Sequence, residues 1–597
     1  MPRPWQTPRL QRLIMQSVLV LVLAAAIGLA EVTDINLRQS QIITLGTPIT
    51  DGPVTFSLPA HWKIGSAAEF GATAHRAIDP SDDSGRTITV IVQQVDHLMP
   101  PLIYLQRTDL LPRTAGDVIV TPITLKGFPT QTARWVTVGD DGQSKSEICC
   151  CVMLPSRQAL TIRLERNETF QSIDQILIQQ ILNAVTISGP GVTHGESVPL
   201  TGGARINPPA DFAIYPEVDP LQTDRCLVRQ TTSGGWVSAN CVPMLMGNLP
   251  ASSLRGALMA LDPMDGRDPV PTAAWLSAEV DQLDANHWKI DPHDDPDGWL
   301  HRRAYVAAGA GGQGVLILLT AQTPATEADL DQAYADLQNN IHPAGSGSSA
   351  DSLLADGATA ISAAAAITLP APSGQHWWLW SRQGIVEGST RSYLDPTGQL
   401  LVRETLRRDW EGLVLRIDQR WGLGQSPSGI WGQTSRYDSP DQPTFVTETR
   451  LTDRIMTTIH LNGQDTPVVV PLTPAMVSGA RLPDWLPRLA STGAPEVAVW
   501  TDRFPGADAE PLPSPILLLL RPLPATAAER GVEVEINGTG QLSRWFFAPD
   551  GTLRRAEFPG DATLLPSTES EIDSATQADP RLTPPRQQPT MDSGPQQ

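Results

Sequence analysis

The sequence predicts an α+β chain in which two tandem antiparallel-sheet-plus-helix domains precede a mostly β, half-barrel-like domain. Three observations predict it. β-branched runs such as TITVIVQQV (87–95) lead to a helix-spaced stripe of Phe170, Ile173, Leu177, Ile181 and Val185, which lays one apolar face across a sheet. A similar order of strands, middle helix, strands and closing helix recurs before His342. From Trp377 onward, strand-like runs follow one another with Gly, Pro or Asp turns about every eight to twelve residues, the spacing of a meander.

At 597 residues the chain has room for about four domains. With 41% hydrophobic and 18% charged residues, it carries enough apolar material for several cores, which excludes wholesale disorder. Its net charge of −21 would repel phosphates along most of the surface, which disfavours nucleic acid and anionic lipid as partners.

Residues 1–30 place Arg3, Arg9 and Arg12 before the apolar run LIMQSVLVLVLAAAIGLA (13–30), the layout of a secretory signal peptide or of an uncleaved membrane anchor. The folded part is therefore expected outside the cytoplasm, periplasmic or tied to the inner membrane, with the membrane touched only through this segment. Residues 31–52 read as a linker.

The first domain spans 53–188. VTFSLPAHWKI (54–64) suits an edge strand entering a turn, PLIYLQRTDLL (101–111) a helix with Pro in its first turn, and the runs around Gly127 and 140–142 further strands. The second domain, 198–342, reads as a diverged copy. INPPADFAIYP replaces the first strand, AAWLSAEVDQL (273–283) is the expected middle helix, and Thr326 with Asp329 forms a capping signal for the last helix. Residues 343–376 read as a Gly/Ser/Ala-rich linker. The third domain, 377–565, ends in a hairpin turned at Asp550-Gly551. The Ser/Thr/Gln/Pro-rich tail, 566–597, is expected to be disordered.

Phe56, Pro59 and Trp62 in F-x-x-P-x-x-W, the later Gly127-Phe128-Pro129 and the closing helix resemble the PsbP-like family. The resemblance implies small α+β domains with helices packed on an antiparallel sheet, in proteins that mostly bind or assist and share no catalytic residues. The third domain is similar in general shape to the LolA/LppX cradle of envelope lipoproteins, which implies a curved antiparallel sheet around a helix.

Chemistry-bearing patterns are scarce. There is no G-x-S-x-G, no G-x-x-x-x-G-K-[ST], no H-E-x-x-H and no C-x-x-C, and lysine is limited to Lys63, Lys126, Lys145 and Lys289. No catalytic, cofactor-binding or metal-ligating residue is assigned. Asp291, His293, Asp294, Asp295 and Asp297 crowd one turn but miss the spacing of a calcium loop, so they read as a solvated acidic turn. Cys149, Cys150 and Cys151 read as core residues of a strand. Cys226 and Cys241 flank the Gly234-Gly235 turn and stand either as a disulfide or as two buried thiols. Trp377, Trp378 and Trp380, beside His376, either line a ligand cavity or form the first strand of the third core.

The expected role is that of a non-enzymatic bacterial envelope protein that binds or scaffolds a protein partner. A lipid or amphiphile carrier using the third domain is the alternative, and a hydrolase with an unfamiliar site is the third.

Overall fold

The computed structural model describes residues 43–583, apart from internal stretches such as 109–117, 262–274 and 423–430. Residues 1–30, the acidic turn from 293 to 298 and the end of the tail lie outside them. Among the described residues no helix is long and apolar enough to cross a membrane.

The first sheet contains β1 (Lys63–Glu69), β2 (Ala72–Ile78), β3 (Thr87–Gln94), β4 (Ile119–Leu125), β5 (Phe128–Val138), β6 (Ser144–Leu154) and β7 (Gln158–Arg166). They pair antiparallel in the order β1-β2-β3-β7-β6-β5-β4. Helix α1 (Ser172–Ala184), opened by a reciprocal Gln171–Asp174 capping box, presses Leu177 and Ile181 onto Val90 and Ile162. Alternation along β6 sends Cys150 to this core and Cys149 and Cys151 to a second core with Tyr104 and Trp135 on the opposite face.

The second sheet contains β8 (Ala213–Ile214), β9 (Arg225–Gln230), β10 (Trp236–Leu245), β11 (Glu279–Gln282), β12 (His287–Asp291), β13 (Leu300–Ala308) and β14 (Gln313–Gln322). Its order, β8-β9-β10-β14-β13-β12-β11, repeats that of the first sheet strand for strand, with the two-residue strand Thr193–His194 added beside β8. Helix α2 (Ala251–Leu261) follows β10, and α3 (Glu327–Gln338) closes the unit behind a Thr326–Asp329 capping box. One expectation holds only in part here. Trp275 is helical, but within the run 273–283 residues Glu279–Gln282 form strand β11, because a turn in which the Leu283 N–H donates to the His287 carbonyl zips them against β12. A longer helix lies upstream, in ASSLRGALMAL.

The third unit begins inside the expected linker with helix α4 (Ala350–Ala365), N-capped by Ser349. An outgoing meander follows: β15 (Gln375–Arg382), β16 (Ile385–Leu394), β17 (Leu400–Arg408), β18 (Val414–Gly422), β19 (Trp431–Tyr437), β20 (Phe445–Leu451), β21 (Arg454–Leu461) and β22 (Gln464–Pro471). Helix α5 (Leu482–Ala490) leads to the returning strands β23 (Val497–Arg503), β24 (Pro511–Leu523), β25 (Arg530–Ile536), β26 (Leu542–Phe547), β27 (Leu553–Phe558) and β28 (Ala562–Ser567). The first and last strands pair, giving one 14-stranded antiparallel sheet with β22 and β23 at its two ends. The ends approach, since β21 and β22 touch β24, yet the sheet does not close. Residues 475–477 blunt the β23 edge, with the Val477 N–H donating to the Trp500 carbonyl and the Trp500 N–H to the Ala475 carbonyl.

The three units share their cores. Tyr215 and Cys226 of the second unit lie in the α1 core of the first, and the Trp236 indole donates to the Thr130 carbonyl at 3.3 Å. Helix α2 packs on β24, so one apolar core runs from the second sheet into the third.

The tail also departs from expectation. Residues 566–583 are ordered: helix α6 (Glu569–Ala575) starts with a Thr568–Glu571 capping box, and the chain then covers the outer face of β15–β17. Ile572 is fully buried, the Ser389 hydroxyl donates to the Leu582 carbonyl at 2.8 Å, and Arg408 pairs with Asp579 at 2.7 Å. A short polar run can order when two apolar anchors and a cap act together. A chain ending at Ser567 is therefore expected to unfold several degrees below one ending at Thr583, and equal melting temperatures would contradict the packing.

Candidate functional site

The inner face of the third sheet is fixed by α5, which packs on β25 in the returning half and aims Asp484 toward Arg403 on β17 in the outgoing half. On β23–β28 this face is apolar: Val497, Val499, Leu518, Val534, Trp545 and Leu564 meet Leu482, Trp485 and Leu486 of α5. On β15–β18 it turns polar. The register places His376, Ser392, Arg403 and Gln419 opposite one another on four adjacent strands, so they form a single transverse row.

Arg403 is 8% exposed. Burial pushes the guanidinium below its ordinary value, opposed by the field of the Asp484 carboxylate. The His376 ring stacks on Trp378 at 5.8 Å between centroids, and its Nε2 is buried with no hydrogen-bond partner among the described residues. The neighbouring inner positions Thr390 and Thr405 are bonded to each other at 3.0 Å.

The tryptophans divide between roles. Trp380 is 1% exposed, packs against Phe558, donates from Nε1 to Thr390 Oγ1 at 3.0 Å and carries the Arg407 guanidinium over its ring at 4.6 Å. It is a core residue. Trp378 is half-buried on the same face beside the row, whereas Trp377 points to the outer face and meets Arg391 at 5.6 Å. The three therefore line no common surface, because adjacent strand positions diverge.

Of the two readings of Cys226 and Cys241, the disulfide is corrected in favour of buried thiols: all five cysteines are free and buried. Cys226 pairs in register with Asn240 and Cys241 with Arg225, an offset of one residue that puts the two thiols on opposite faces of the sheet, in different cores. Burial pushes the Cys150 thiol up to about 12 and the others higher, so they are poor nucleophiles. Asp291 of the acidic turn is engaged by Lys289 and Arg303. The Asn537-Gly538-Thr539 sequon is structural, since the Asn537 amide is buried against the backbone of Leu245.

A second polar cluster sits where the units meet. The Thr223 N–H donates to the Gly540 carbonyl, the Leu542 N–H to the Leu221 carbonyl and the Gly560 N–H to Asp219, while Arg157 of the first unit stands 3.9 Å from Asp219. Asp224 lies among them. Burial pushes its carboxyl up to about 6 against the pull of Arg157 and Arg225. A carboxyl that binds its proton more tightly when folded favours the folded state below its unfolded value, and this advantage is lost as pH rises toward 6. Asp224→Asn removes the penalty. The variant is expected to gain about 2 kcal/mol over wild type at pH 8, with the difference shrinking toward pH 4. Urea midpoints across pH 4–8 test this, and a pH-independent difference would refute it.

No family model matches the chain, and no curated protein does. Among solved structures, a β-barrel-like protein of a domain of unknown function, DUF1849, from Brucella abortus aligns with 8% identity and a TM-score of 0.26, over 32% of this chain and 94% of that one. The cyanobacterial PsbP of Synechocystis sp. PCC 6803 aligns with 15% identity and a TM-score of 0.19, over 25% and 95%. The likeness is a loose one to PsbP-like and β-barrel-like shapes.

Arg403, Ser392, Gln419 and Asp484 were not distinguishable in the sequence, because a row across strands is written at intervals set by turn lengths and carries no local motif. His376 alone stood out, through its tryptophan neighbours.

Proposed function

We propose that the chain is a non-enzymatic protein of the bacterial cell envelope, exported or held at the inner membrane by residues 1–30, that binds a protein partner outside the cytoplasm. Its first two units are read as PsbP-like domains and the third as a cradle of the LolA/LppX kind. The observation that supports scaffolding is the continuity of the cores: the α1 core takes in Tyr215 and Cys226, and the core around α2 runs into the third sheet. Units joined this way present fixed surfaces, which a scaffold requires. The apolar inner face of β23–β28 is covered by the chain's own helix α5.

Native mass spectrometry of the full chain purified from its own membranes tests this reading. A complex with one partner protein at fixed stoichiometry is the expected result. A chain that emerges without protein partners overturns it.

A second reading, an amphiphile carrier, is favoured by the transverse row, where the buried Nε2 of His376 has no hydrogen-bond partner among the described residues and half-buried Trp378 lies beside it. Lipid retained by the purified chain would support it.

A further inference from the structure

We infer that the chain pairs with a second copy of itself through the exposed edge of the first sheet, β1 running antiparallel to the β1 of the copy about a twofold axis at Ser66. Strand β1 ends its sheet, and Lys63, Ile64, Gly65, Ser66 and Ala67 are all exposed, Ile64 by 50%. An edge strand offers a row of backbone N–H and C=O groups to any chain that can lie beside it, and proteins blunt such edges with proline, charge, shortness or a cover. The other ends of the three large sheets carry these devices. Pro122 interrupts β4, Thr193–His194 is only two residues long, β11 includes Glu279 and Asp281, β22 holds Pro467 and Pro471, and residues 475–477 cover β23. From Ile64 to Ala68, β1 has neither proline nor charge.

The charges of β1 stand at its two ends, and they select the partner. Laid antiparallel on a copy of itself with Ser66 opposite Ser66, the strand pairs over all seven residues, and this register sets Lys63 opposite Glu69 at both ends, with Ile64 opposite Ala68 between them. A shift of two residues either way shortens the ladder and leaves both charges without an opposite, and in-register parallel pairing would set Lys63 beside Lys63. The contact is isologous, so one pair of residues satisfies it twice. Two seven-residue edges bury less than a standard interface, and the −21 charge of each copy opposes approach. The dimer is therefore a weak one, with a Kd of about 10–100 µM at about 0.15 M salt. This self-pairing is independent of the proposed binding of a different protein.

Sedimentation equilibrium of the full chain in neutral detergent, from about 1 to 200 µM, tests the pairing. Wild type is expected to dimerise reversibly, Lys63→Glu and Glu69→Lys each to weaken the dimer about tenfold, and the double exchange Lys63→Glu/Glu69→Lys to restore it. Residues 63 and 69 lie about 20 Å apart along one strand, so the restoration can arise only between copies. Introduced thiols give a second readout, because all five native cysteines are buried. Under oxidised glutathione, Ser66→Cys, on the axis, is expected to form a covalent dimer. Ile64→Cys, whose two copies would stand about 14 Å apart, is expected not to. Lys63, Ile64 and Ser66 are exposed, so their variants are expected to melt within about 2 °C of wild type. A monomer throughout the range, a dimer unmoved by Lys63→Glu, a double exchange no tighter than the single variants, or equal cross-linking of Ile64→Cys and Ser66→Cys would each overturn the inference.

Discussion

Gly357→Ala is expected to destabilise the protein by about 3 kcal/mol or more, although alanine is the better helix former by about 1 kcal/mol. Gly357 sits within α4, where its backbone lies directly on the edge of β23. A methyl group there would fall inside the van der Waals envelope of the Ala498 carbonyl oxygen, with the Val499 side chain 3.5 Å away. The obstacle is backbone, so it cannot rotate aside. Helix α4 must lift, exposing Leu353 and Ile361 and opening the core that Val499 and Leu518 share with α5. Gly65→Ala is the matched control, since nothing lies within 4 Å of its added methyl. Urea midpoints should fall sharply for the first variant and stay near wild type for the second. An unchanged Gly357→Ala would mean that α4 does not pack against β23 as described.

Asn537→Ala is expected to cost about 2–4 kcal/mol, because it removes two buried hydrogen bonds and leaves two backbone groups unsatisfied. Strand β10 runs past the end of β9 from Val242 to Leu245, so its backbone lacks a strand partner on that side. The Asn537 side chain, 5% exposed, supplies one: the Leu245 N–H donates to Oδ1 at 2.7 Å and Nδ2 donates to the Leu245 carbonyl at 3.1 Å. One amide thus stands in for a missing strand and ties the second unit to the third. Asn537→Asp, which keeps the acceptor and loses the donor, is expected to fall at least as far because it buries a charge. Chemical denaturation of the full chain measures both, and a neutral Asn537→Ala would refute the tie.

Much of the fold was legible because its signals are local. Alternation and turn residues located the strands of the third sheet, and the stripe from Phe170 to Val185 located α1. The overlong reading of the run 273–283 shows where local signals fail: helix-forming composition at Glu279–Gln282 yielded to pairing with β12, whereas ASSLRGALMAL was made a helix by burial of Leu254, Leu258 and Leu261. The tail was misread by its composition, though Thr568 and Glu571 carried a capping signal. Register was beyond reach, and with it the row through Arg403 and the separation of Cys226 from Cys241.

The pairing of β15 with β28 brings Ser381 and Thr563, 182 residues apart in sequence, within 2.8 Å. During synthesis β15 leaves the ribosome roughly 10–40 s before its neighbour exists, at ordinary elongation rates of about 5–20 residues per second. For that interval the strand bearing Trp377 and Trp378 is an open edge that any nascent neighbour could capture. Slowing elongation between codons 383 and 562 is therefore expected to raise the misfolded fraction.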